Sequence, residues 1–107
     1  MAAQDLKLAS REGGGSFDSV TVDSGEYRGA DTALFMRDGE PGIVYFDGHN
    51  NDMLYAQFTG SGWTKAQLGG DDGAVGFHNE VVQLGDGSWW AGSYNYTERT
   101  LFLTTLE

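Results

Sequence analysis

The sequence predicts an all-β protein. Apolar side chains alternate with polar ones and do not recur every three to four residues, so no helix fits. Aromatic and β-branched residues fall into short runs, each broken by a Gly/Asn/Asp/Ser cluster. The whole pattern also repeats after about 47 residues, a period that holds about four strands and matches a β-propeller blade.

Taken in order, residues 1–5 form a short flexible lead and 6–11 the first strand, which ends at Gly13-Gly14-Gly15-Ser16. Residues 17–23 (FDSVTVD) alternate cleanly, and 24–31 are a loop. The apolar run 32–37 turns at Asp38-Gly39 into 42–47; Asp-Gly between strands is a strong hairpin signal because glycine reaches positive φ at low cost. Residues 52–59 follow a turn at Asp47-Gly48-His49-Asn50-Asn51, and 63–68 follow Gly60-Ser61-Gly62. A Gly- and Asp-rich loop spans 69–78; strands at 80–84, 88–95 and 100–105 complete the chain. Leu106-Glu107 is given no structural role.

The repeat is carried by Asp5-Leu6-Lys7-Leu8-Ala9, Asp52-Met53-Leu54-Tyr55-Ala56 and Thr100-Leu101-Phe102-Leu103-Thr104, in which Ala9, Ala56 and Thr104 stand 47 and 48 residues apart. Phe17 and Trp63 are 46 apart, and Asp38-Gly39 and Asp86-Gly87 are 48 apart. With strands lettered a to d from the propeller axis outward, the chain reads c-d, a-b-c-d, a-b-c. Residues 1–107 are then a single unit of two four-stranded antiparallel blades, with repeats at about 6–52 and 53–100 and an extra strand at 101–105. Two blades do not close a propeller, which takes roughly four to eight, and open sheet edges invite other chains. The expectation is a homo-oligomeric ring, first a trimer of six blades and second a larger ring. Nine short strands also suit the alternative, a β-sandwich.

Zero Cys excludes a disulfide scaffold and a thiolate metal site. A net charge of −10 argues against nucleic acid and anionic membranes as partners. No apolar run reaches membrane-spanning length, and Met1-Ala2-Ala3-Gln4 lacks a signal-peptide layout; secreted and cytoplasmic settings both remain open.

No G-x-S-x-G elbow, phosphate loop or dinucleotide fingerprint is present, and the carboxylates follow no catalytic motif, so the chain is read as not an enzyme. His49 and His78 have no ligand spacing, and the oxygen-rich turn Asp47, Asn50, Asn51, Asp52 departs from a calcium loop. No metal and no cofactor are expected. What remains is aromatic and polar surface. Trp89, Trp90, Tyr94 and Trp63 are candidate platforms for the flat apolar face of a sugar, and His49, Asn50, Asn51, Asn79 and Glu80 are candidate hydrogen-bonding groups in neighbouring loops. Each Trp could equally be a packing residue between sheets.

The run PGIVYFD…DMLYAQFTGSGWTKAQL resembles the blade repeat of bacterial β-propeller proteins, whose form is P-h-I-x-Y-x-D, then D-L-x-Y-A, then G-W-T. Length, blade number and the Gly60–Thr64 run are also similar to small lectins in which two-blade chains trimerise. The resemblance implies a non-catalytic carbohydrate-binding module of an oligomeric propeller. Those lectins hold their sugar with an Arg, a Glu and Trp residues, and Arg28, Arg37 and Arg99 are not spaced to repeat such a set. The alternatives are an assembly fragment without a small ligand, engineered or natural, and a glycoside hydrolase fragment.

Overall fold

The computed structural model describes residues 5–11, 13–24, 27–70 and 74–106. Nine strands follow one another: β1 (Leu6–Ser10), β2 (Asp18–Asp23), β3 (Arg28–Arg37), β4 (Glu40–Asp47), β5 (Asp52–Phe58), β6 (Trp63–Gly69), β7 (Val75–Gln83), β8 (Trp89–Asn95) and β9 (Thr100–Thr105). They form three antiparallel sheets, β1-β2, β3-β4-β5-β6 and β7-β8-β9, each in chain order. The expected lead lies, apart from Asp5, outside the described residues, as do 71–73 of the expected Gly/Asp loop.

Pairing register repeats as the sequence does. Ala33 faces Val44 and Leu34 faces Ile43; Glu80 faces Gly92 and Val81 faces Ala91, so β3–β4 and β7–β8 are superimposable at offsets of 47 and 48. The extra residue lies in the hairpins: Asp38-Gly39 joins Arg37 to Glu40, whereas Gly85-Asp86-Gly87 lies between Leu84 and Ser88, whose backbones are hydrogen-bonded. β1–β2 copies β5–β6 likewise, with Leu8 opposite Val20, Tyr55 opposite Ala66, and a register shift after Leu6 and after Met53.

β3 and β7 start earlier than expected, inside the predicted loops. Each opens with two register shifts and with left-handed residues at matching places, Gly29 and Asp31 in one and Gly76 and His78 in the other. Bulges of this kind break the period-two alternation that marks a strand in sequence.

The sheets stack face to face. On one face of the middle sheet, Ile43, Tyr45 and Ala56 meet Leu6 and Val22 of the first, with Leu8, Leu54 and Trp63 around them. On the other, Val44, Met53 and Tyr55 meet Val75, Ala91 and Leu106, ringed by Ala33, Phe35, Trp89 and Phe102. β4 is therefore buried on both faces, which is why it reads as a nearly continuous apolar run. Leu106, given no role above, is 4% exposed and belongs to this core. The stack is 45 × 44 × 21 Å.

A buried polar cluster joins the first two sheets. The Tyr45 hydroxyl donates to Asp23 at 2.7 Å, and Arg28 reaches Asp23 at 3.3 Å and Asp47 at 3.4 Å. Burial, followed by the hydrogen bond and charge of Asp23, pushes the Tyr45 phenol far above the ordinary tyrosine range. Between the second and third sheets small residues stand in the corresponding places. A Cβ on Gly69 would lie 2.9 Å from Phe102, and Ser93 takes the place of Tyr45, turning its hydroxyl to the Phe77 carbonyl.

Candidate binding cleft

The nine sequence-predicted residues fall in four places. His49, Asn50 and Asn51 occupy the β4–β5 turn. Asp47 anchors it, accepting from the His49 N–H at 2.9 Å and from the Asn50 amide side chain at 2.9 Å, while His49 stacks on Tyr27 with ring centroids 6.3 Å apart. Burial pushes the Asp47 carboxyl up; the Asn50 side chain, the two backbone N–H groups and Arg28 outweigh it and hold the group below the usual carboxylate value. Asn51 adopts φ 60° and its carbonyl accepts from Val75 N, which ties this turn to the third sheet.

Trp90, Tyr94 and Glu80 lie on the third sheet. The Trp90 indole donates to Ser88 at 3.2 Å. Asn79 is buried, and its amide donates to the carbonyls of Asp31 at 2.8 Å and Gly76 at 2.7 Å, bridging two sheets. Trp63 packs in the first core beside Phe58, and Trp89 packs at the edge of the second.

Of the nine, Trp63 lines a mainly apolar cavity against the first sheet, and Trp89 stands beside a cleft lined by charged and polar side chains. The cleft opens at the hairpin end of the middle sheet, with a volume of about 370 Å³, lined by Arg37, Asp38, Glu40, Tyr55, Gln57 and Thr59. The strands position these groups by parity. Arg37 follows Phe35 by two on β3, Gln57 follows Tyr55 by two on β5, and Glu40 precedes Gly42 by two on β4, so all project toward the third sheet. Gln57 is held at one end, its amide N–H groups donating to the carbonyls of Pro41 at 3.2 Å and Phe58 at 3.1 Å. Its oxygen accepts from the Tyr55 hydroxyl, and the Tyr55 hydroxyl oxygen in turn accepts from Arg37 Nη1 at 3.3 Å. Gly42 makes the row possible, because a Cβ there would sit 2.6 Å from the Phe35 ring and 2.7 Å from the Gln57 oxygen.

Arg37 also lies over the Trp89 ring, 6.0 Å from its centroid, and Trp89 packs against Phe35 at 5.2 Å. Apart from Tyr55, the guanidinium makes no hydrogen bond among the described residues, and Arg37 lines the cleft. The cleft is thus lined by a cation, a phenol, an amide and two carboxylates, with the Trp89 ring beside the cation. Sequence reading missed Arg37, Glu40, Tyr55 and Gln57. Their shared face was available from strand parity; the approach of Trp89, 52 residues beyond Arg37, came only from the stacking of the sheets. No family model, no curated protein and no solved structure matches this chain.

Proposed function

We propose that this chain is a non-catalytic carbohydrate-binding module, assembled as a homo-oligomeric β-propeller, with its sugar site in the Arg37–Tyr55–Gln57 cleft. The observation that carries the reading is the hydrogen-bonded row Arg37–Tyr55–Gln57 with Trp89 alongside. Pre-aligned charged donors and acceptors suit vicinal sugar hydroxyls, and holding them in advance lowers the ordering cost of binding. An Arg, a carboxylate and a Trp are also the residue types of the small lectins that the sequence resembles. The propeller reading is supported by three sheets that share one register and stack in series, in the order c-d, a-b-c-d, a-b-c.

The test is a glycan array followed by titration calorimetry. The wild-type protein binds at least one sugar class, and Arg37→Ala loses tenfold or more in affinity, as expected for a charged hydrogen bond of about 1.5–3 kcal/mol. An array with no sugar above background removes the reading. It would leave the second, a scaffold module, which the packing of Trp63 and Trp89 into the two cores favours.

A further inference from the structure

β1 and β9 are the same strand at two ends of the chain. Both are copies of the third strand of the middle sheet, β5: Leu6 and Leu8 correspond to Met53 and Tyr55, and so do Leu101 and Leu103. The fates of the two leucine pairs differ. Leu6 is 4% exposed and packs, with Leu8, on Ile43, Tyr45 and Ala56 of the middle sheet. Leu101 and Leu103 are 70% and 59% exposed, on the uncovered face of the third sheet.

That face is the register equivalent of the middle-sheet face which the third sheet covers within the chain. The surface that would complete it also stands open. Leu34 and Met36, 62% and 58% exposed, line with Leu8, Pro41, Phe58 and Trp63 a cavity of about 620 Å³ beside the free edge of β1. Among the described residues the first sheet has two strands, and none of them covers these side chains where a β3–β4 pair would lie.

Resting on the propeller reading above, we propose that a second copy of this chain fills this gap and that its β9 replaces β1 beside β2. Leu101 and Leu103 of the incoming copy then take the places of Leu6 and Leu8, and its Val82 and Trp90 cover Leu34 and Met36. β1 is the strand that leaves. It contributes only those two leucines to the core, and the incoming strand supplies the same side chains. β9 could not leave on such terms, because its Phe102 and the following Leu106 are built into the second core. Nine strands minus one gives two four-stranded sheets per chain, so the exchange removes the surplus strand that a ring of whole blades cannot accommodate.

Native mass and hydrogen exchange on the full chain test this. The expected result is a mass several times 11.6 kDa, with amides 7–10 exchanging like free chain and 101–105 protected. Leu6→Asp/Leu8→Asp keeps that mass, whereas Leu101→Asp/Leu103→Asp falls to the mass of one chain. An oligomer with β1 amides protected, or one lost in the Leu6/Leu8 variant, overturns the exchange and leaves the ring reading standing. A wild-type chain that stays at 11.6 kDa overturns both. Hydrogen exchange on the unaltered protein keeps the decision independent of whether either variant folds.

Discussion

Asp47 shows how much one side chain settles. Nearly fully buried, it caps the β4–β5 turn and faces Arg28. Its counterpart in the third sheet, Asn95, caps the β8–β9 turn in the same way, accepting from Glu98 N at 3.0 Å. Asn therefore fits the cap, and Asp47→Asn removes mainly the charge. With its folded pKa depressed, Asp47 contributes stability that is complete above its unfolded value of about 4 and lost as pH falls through the folded value. Asp47→Asn is expected to lose about 1–3 kcal/mol at pH 7, the worth of a charged hydrogen-bonded contact. It should also show a shallower loss of stability below pH about 4 than the wild type. Urea unfolding at neutral and acid pH measures both; parallel pH profiles would exclude Asp47 as a source of the acid limb.

At the scale of the strand and its turn, the hairpin Asp38-Gly39 has φ 54° and 80°, a pair of left-handed residues that matches the twist of β3 and β4. A Cβ on Gly39 meets nothing within 4 Å, so Gly39→Ala isolates backbone strain from crowding. It is expected to cost roughly 1–2 kcal/mol, whereas Gly14→Ala, also in open space but without positive φ, should cost little. Equal midpoints in urea for the two variants would contradict this. The hairpin was legible in sequence because its chemistry is local, and so was the repeat, since the L-x-L and Asp-Gly pairs fall at offsets the register keeps. The starts of β3 and β7 were not legible, because Asp31 and His78 take left-handed φ at bulges without being glycine. The cleft was half legible. Trp89 was named from composition, but Arg37 was set aside for lacking a repeat, and its value lies in not repeating.

Across the whole molecule, that lack of repetition sets the valency which the sugar-binding proposal predicts. At the positions on the third sheet equivalent to Tyr55, Gln57 and Glu40 stand Leu103, Thr105 and Ser88, and the place of Arg37 falls beside Leu84 and Gly85. In the proposed ring the groove formed there would face Pro41 of the next chain, where the intact groove faces Trp89. Two inter-sheet grooves per chain would then form, one polar and furnished, the other apolar and given over to assembly. Calorimetric titration of the assembled protein with a sugar identified on the array is therefore expected to give one site per chain. Two sites per chain would mean that the apolar groove also binds and that the Arg37 row is not what confers recognition. In the proposed ring, one site per chain would place equal sites at the spacing of the chains, and weak single contacts would gain avidity on a surface dense in the same sugar. Monomeric Leu101→Asp/Leu103→Asp should accordingly keep the affinity for free sugar while losing retention on a glycan-coated surface.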